Sequence, residues 1–305
     1  MRYESLFVPQ GDHQLHLMHI SQVGHQGTPV LMIHGMVEDG RIFYHRSGKG
    51  LGSYLARHGY NVYIADLRGI GQSTPTIHRH SAHGQTETIR DDIPALMQFV
   101  LQHSGQPQLH LAAHSWGGVY LNAALLRAPQ LIPNVLSSVY FGSKRTVRAR
   151  NLDRYFRINL VWNRFAKQLT RRQGYLPAVR YKLGSDNETR KTHQQCVDWV
   201  RQEHWIDSDD GFNYGQAAKT ICLPDTLYYA AQRDFSLGHR FDVKRFAKES
   251  GPHHYQYRLL SRQQGNQLDY DHINMLTAAQ CVDDHFPEVL QWLQHHSPEW
   301  LERPA

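Results

Sequence analysis

The residues best suited to chemistry stand at the end of one apolar run, Leu109-His110-Leu111-Ala112-Ala113-His114-Ser115-Trp116-Gly117-Gly118. A strand pattern ends in small-x-Ser-x-Gly, and a helical pattern starts at once. A nucleophile on a sharp strand-to-helix turn needs a strained backbone. Small residues two before it and two after it let the neighbouring backbone pass. Alanine stands at 113, where glycine is commonest, and it is small enough. Ser115 is then expected to project from the sheet edge. The helix N-terminus behind it offers free N–H groups and a positive dipole end, which suit a developing oxyanion.

A serine hydroxyl is a poor nucleophile until a base takes its proton, and the base needs an orienting carboxylate. In a strand–turn–helix arrangement of this kind the order is Ser, acid, His, each partner in a loop after a later strand. Asp234 follows the strand-like run Leu227-Tyr228-Tyr229-Ala230-Ala231, and His272 follows a run ending near Leu260. Both fall at C-terminal strand ends, where ligand sites of open α/β sheets collect. Asp269 and Asp271 are the fallback acids but are too local to His272, while Asp283 and Asp284 come after it, out of order. The alternative for Asp234 is an ordinary turn aspartate. The oxyanion donors expected are the backbone N–H groups of Trp116 and of Met36, the latter in the loop His34-Gly35-Met36. His34 is expected to fix that loop by hydrogen bonds. His34, Gly35, His114 and Gly117 are the supporting residues.

Stepping outward, the elements that must hold these residues alternate. Tyr3–Val8 and Gln14–Ile20 read as a hairpin about Gln10-Gly11-Asp12. Pro29–Ile33 reads as a strand buried on both faces of a parallel sheet. A helix follows at Ser53–His58, then a strand at Tyr60–Ala65 and a glycine-rich loop, Asp66-Leu67-Arg68-Gly69-Ile70-Gly71. Residues 86–102 read as an amphipathic helix, with Pro94 in its early part. Strands at 108–113 and 135–141 flank a helix at 116–126. The rhythm breaks at 144–222, which is rich in Arg, Gln, Tyr and Trp and looks helical. It resumes with strands at 226–231 and 255–260, a helix at 239–249 and a long helix from about Ile273. The expectation is an α/β domain of residues 1–143 and 223–305, with 144–222 inserted as a helical cap.

Length and charge agree with one domain carrying an insertion: the chain has 305 residues, 40% apolar and 20% charged. No run of about 18 apolar residues occurs, and the N-terminus carries no apolar signal-peptide region, so a cytoplasmic location is expected. The three cysteines, Cys196, Cys222 and Cys281, are far apart and imply neither a disulfide framework nor a zinc site. The net charge is +6, yet Lys144 to Lys191 holds fourteen Lys/Arg against three acids. Such a block either attracts an anionic substrate or membrane surface, or is a set of solvated helix faces.

Taken together, His34-Gly35, the Asp66–Ser73 loop, Ala113–Gly118, Asp234 and His272 make the chain similar to the α/β-hydrolase superfamily over nearly its whole length. Within it, Leu51–Ser73 looks like the lipase and lysophospholipase branch. The resemblance implies a mostly parallel eight-stranded sheet flanked by helices, a lid after the sixth strand and a Ser115–Asp234–His272 triad. The activity then expected is cleavage of a carboxylic ester, from a small-molecule or lipid substrate, through an acyl-enzyme on Ser115. No metal or organic cofactor is needed. A thioesterase or acyltransferase on the same triad, with the basic cap holding an anionic head group, is the alternative. A non-catalytic binding protein is a third reading, which a complete triad disfavours. Ser115 excludes aspartate-nucleophile dehalogenases and epoxide hydrolases. The Asp66–Ser73 loop lacks the Lys-Ser/Thr of a nucleotide loop, and no nucleic-acid motif accompanies the basic block, so no nucleic-acid partner is expected. The oligomeric state is not legible.

Overall fold

The computed structural model describes residues 1–24 and 27–297, so the last eight residues of the expected core range lie outside the described residues. Eight strands form one sheet: β1 (Arg2–Gln10), β2 (His13–Ser21), β3 (Pro29–Ile33), β4 (Asn61–Asp66), β5 (Leu109–His114), β6 (Val135–Phe141), β7 (Thr226–Ala231) and β8 (Tyr255–Leu260). Their order across the sheet is β1-β2-β4-β3-β5-β6-β7-β8. β2 runs antiparallel to both neighbours, and the remaining pairs are parallel.

The short apolar runs fold this way because helices cover both faces of the sheet. Alternate residues serve opposite layers. Leu31 and Ile33 of β3 join one buried cluster with Leu111 and Ala113 of β5, while Val30, Met32 and Ala112 join the other. The first layer is closed by α2 (Ile93–Ser104) and α3 (Trp116–Arg127). The second is closed by α1 (Leu51–Arg57) and by the C-terminal helix Phe286–His295. Pro94 follows a π-wound turn, Thr88–Asp92, that runs directly into α2, so its missing N–H falls where the helical hydrogen-bond ladder is already irregular.

Between Phe141 and Thr226 the chain leaves the sheet. It forms helical turns at Leu152–Arg154, Tyr155–Ala166 (π-wound) and Lys167–Gln173 and a helix at Arg190–Arg201. It also forms a two-stranded ribbon, Tyr175–Leu176 with Glu188–Thr189, which the helical expectation for this stretch did not include. Asp186 ties the excursion to the glycine-rich loop by accepting from the Gly71 N–H at 2.7 Å.

The end of the chain departs from expectation. A long helix from Ile273 does not form: Asn274–Thr277 makes one turn, Ala278 is extended, and helix Phe286–His295 starts anew. Pro287 is the physical reason for the restart, since it fits a first helical turn and not an interior. No helix among the described residues is long and apolar enough to cross a membrane.

Candidate active site

Ser115 occupies the turn between β5 and α3 with φ 51° and ψ −120°, a left-handed backbone that a residue with a side chain adopts only under constraint. The constraint is visible on all sides. The Ser115 N–H donates to Phe141 O of β6 at 2.8 Å. A Cβ on Gly117 would lie 2.3 Å from Ile33 O and 2.6 Å from His34 O. A Cβ on Gly35 would lie 2.8 Å from Ser115 Cβ. The glycines at 35 and 117 therefore let the β3 loop press against the turn.

Three side chains converge there. His272 Nε2 is 2.9 Å from Ser115 Oγ, and its Nδ1 is 2.5 Å from Asp234 Oδ2. The other Asp234 oxygen accepts from the Leu237 N–H at 2.9 Å. With Asp234 on one ring nitrogen, the other is left to accept a proton from the hydroxyl. Burial would raise the Asp234 carboxyl, but the His272 ring beside it holds it below the usual carboxylate range. His272 is lowered from 6.5: burial dominates, Asp234 opposes, and the cations of His114 and Lys144 push the same way as burial. Two glycines make room for the pair. A Cβ on Gly142 would stand 3.0 Å from the His272 ring, and one on Gly238 would stand 2.7 Å from Asp234 Oδ2.

Met36 and Trp116 line the same cavity as Ser115 and His272, a space of about 930 Å³. Neither backbone N–H donates to an acceptor among the described residues. Tyr120 O–H meets Met36 Sδ at 3.3 Å and steadies that loop. His34 lies behind it, donating from Nδ1 to Gly35 O at 2.7 Å and accepting the Leu67 N–H at 3.1 Å on Nε2. The excursion supplies Phe156, Ile158, Trp162 and Val200 to the cavity wall.

His114 has a partner that sequence reasoning missed. Its Nδ1 lies 2.6 Å from Glu38 Oε1 and its Nε2 2.8 Å from the carbonyl oxygen of His272. Both partners only accept, so both ring nitrogens carry protons and His114 is a cation. Burial opposes that charge, but Glu38 outweighs it and His114 is raised above 6.5. Glu38 is correspondingly lowered despite its own burial. Glu38 also accepts from the Gly35 N–H. The pair thus joins the β3 loop to the loop that carries His272.

The comparisons with known proteins meet this geometry. A model of the alpha/beta hydrolase fold matches residues 28–259. The chain belongs to the α/β-hydrolase family. No curated protein matches it in sequence. Among solved structures it is similar to a soluble variant of monoglyceride lipase from Saccharomyces cerevisiae, at 15% identity and TM-score 0.69, with 97% of this chain and 96% of that one covered. It is also similar to carboxylesterase CesB from Bacillus subtilis, at 16% identity and TM-score 0.57, covering 96% and 92%. A thioesterase domain from the curacin biosynthetic pathway aligns at 15% identity and TM-score 0.57, covering 95% and 100%. At such identities the likeness is one of fold.

Within this α/β-hydrolase, the residues not foreseen around Ser115, Asp234 and His272 are Glu38, Gly142, Lys144 and Gly238. Glu38 stands three residues after Gly35, in the loop already singled out, and that spacing was its only signal. Lys144 was read as part of the basic block. It is instead buried, 7% exposed, with its ammonium 5.4 Å from the centre of the Trp116 ring.

Proposed function

We propose that this α/β-hydrolase cleaves a carboxylic ester by acyl transfer to Ser115. The observation that carries the reading is the chain of contacts from Ser115 Oγ to His272 Nε2 at 2.9 Å and from His272 Nδ1 to Asp234 at 2.5 Å, on a strained turn. Ser115 Oγ attacks the ester carbonyl as His272 takes its proton. Asp234 holds the ring tautomer and stabilises the imidazolium. The Met36 and Trp116 N–H groups receive the oxyanion, each worth about 10²–10³ in turnover where such donors are removed. His272 then protonates the leaving alcohol, and a water deprotonated by His272 releases the acid. The inserted segment 144–222 acts as the lid over the apolar cavity, which accepts an acyl chain or another small ester substituent.

A thioester would use the same steps. Its support is the basic excursion, and the thioesterase domain above shares the fold. The experiment is labelling with a fluorophosphonate, read by intact mass on wild type and Ser115→Ala, followed by turnover of nitrophenyl esters and acyl-CoA of graded length. One adduct on wild type and none on the variant is expected. Folded wild type that takes no adduct and turns over no ester refutes the proposal. Faster turnover of acyl-CoA than of matched esters selects the thioester reading.

A further inference from the structure

The cavity beside Ser115 is walled mainly by apolar groups, yet a buried lysine faces it. Lys144 lies two residues beyond Gly142, the glycine packed on the His272 ring, and it lines the cavity with Ser115 and His272. It is 93% buried by its 7% exposure, and no hydrogen bond or ion pair engages its ammonium among the described residues. Its neighbour is the face of Trp116, at 5.4 Å. Cation–π attraction engages one direction of a three-donor group and leaves the rest to face the cavity.

The other charges around the cavity are paired. Arg41 is bound to Asp39 through two nitrogens, Arg157 to Asp153 at 2.9 Å, and Glu38 to His114. Asp234 accepts from the His272 ring and keeps its own negative charge, which acts on Lys144 through space without a direct contact. Lys144 and the exposed Lys182 are the lining cations that no hydrogen bond or ion pair engages among the described residues. What the ammonium lacks is a hydrogen-bond acceptor in contact, and an anion entering the cavity would be one.

We propose that Lys144 is a specificity residue, and that the substrate is an ester carrying an anionic oxygen group, carboxylate or phosphate, close to the scissile carbonyl. This rests on the ester-hydrolase reading above and names its substrate class. An anion entering the cavity gives Lys144 the hydrogen bonds it lacks, in a low-dielectric setting where charge-assisted bonds are strong. The apolar walls beside it hold the uncharged part of the same molecule. Lys144 touches substrate and takes no part in proton transfer.

The test compares matched esters with and without the anion. On the acyl side, the 4-nitrophenyl monoester of adipic acid is set against 4-nitrophenyl hexanoate. On the alcohol side, glycerol 3-phosphate monohexanoate is set against glycerol monohexanoate. Wild type is expected to favour the anionic member in one arm by about 10- to 100-fold in kcat/KM, the range for a desolvated charge pair. Lys144→Met should lower that ratio at least about tenfold, and Lys144→Arg should restore part of it. The arm that responds tells which side of the ester bears the anion. Preference for the neutral ester in both arms on wild type overturns the proposal, and needs no variant to fold. So does an unchanged ratio in Lys144→Met. A changed pH profile with an unchanged ratio also overturns it, because Lys144 would then serve only as counter-charge to Asp234. If wild type neither labels at Ser115 nor turns over any ester, the hydrolase reading has failed. Binding of hexyl phosphate against hexanol, followed by tryptophan fluorescence, then decides the inference alone. Saturable phosphate binding lost in Lys144→Met sustains it, and equal binding of the two ligands overturns it.

Discussion

Replacing His114 by glutamine removes one member of a charge pair that is 2.6 Å apart and lies behind His272. At that separation and an effective dielectric of about 20, the Coulomb attraction is on the order of 6 kcal/mol, most of it offset by the desolvation of both ions. The His114 side chain is fully buried and that of Glu38 is 13% exposed, so the carboxylate left behind has little water to turn to. It keeps the Gly35 N–H as its remaining donor. His114→Gln should therefore lower unfolding free energy by about 3–5 kcal/mol, the range for breaking a buried pair from one side. Glu38→Gln should cost less, about 1–3 kcal/mol, because His114 can lose its proton and still donate from Nε2 to the His272 carbonyl. The double variant leaves no orphan charge and should be more stable than His114→Gln alone, so the two substitutions are strongly non-additive.

Urea unfolding, followed by tryptophan fluorescence with unchanged slope, measures these values. The dependence on pH adds a second check. His114 is raised above 6.5, so its contribution is whole below pH 6.5 and fades as pH climbs through the folded value. Glu38 is lowered below 4.5, so its contribution is whole above pH 4.5 and fades as pH falls through the folded value. The stability gap between wild type and double variant should thus be widest between pH 4.5 and 6.5. A loss under about 1 kcal/mol in His114→Gln, or additive losses in the double variant, would show that the pair is not the buried ion pair described.

In the proposed mechanism His272 must be neutral to accept the Ser115 proton, and it is lowered from 6.5, so kcat/KM should rise along an acid limb centred below pH 6.5. A pH-stat profile centred above 7 would contradict the environment assigned to that ring. Gly117→Ala should destabilise by about 1–3 kcal/mol or more, because its Cβ meets the Ile33 and His34 carbonyls, both backbone. Gly118→Ala meets the Ser143 side chain instead and should be milder; equal melting temperatures for the two would refute the distinction.

The sheet was legible because strands buried on both faces write themselves as short apolar runs and half-buried ones as alternation, and each of the eight strands overlaps a segment so read. The turn at Ser115 was legible for a steric reason: the need for small residues at 113 and 117 is local. What escaped has a common cause. Strands of two residues, such as Tyr175–Leu176, are too short to show a period. The break at Ala278 leaves no Gly or Pro at the break itself, only Pro287 nine residues on. Lys144 reads as one more charge in a basic block, since burial is a property of what packs over it. Glu38 reads as a loop acid until β5 brings His114 to it.

The break after Thr277 changes how the position of His272 must be understood. A histidine opening a long helix would be held by that helix. Here the element beyond it is a single turn, and the ring belongs to a loop. Local caps tighten the loop: Asp271 Oδ1 accepts the N–H groups of Ile273 and Asn274 at 2.9 and 2.8 Å. The only link from that loop's backbone back to the nucleophile strand, among the hydrogen bonds of the described residues, is His114 Nε2 to His272 O. His114 ends β5 and precedes Ser115, so serine and base are referenced to the same two residues of the same strand end. A ring positioned through its own side chain alone could still rotate about Asp234. Held also at its carbonyl, it has a fixed origin for that rotation, which is what a 2.9 Å approach to a strained serine requires. In the proposed mechanism the residue before Ser115 thus acts on His272 and not on the substrate.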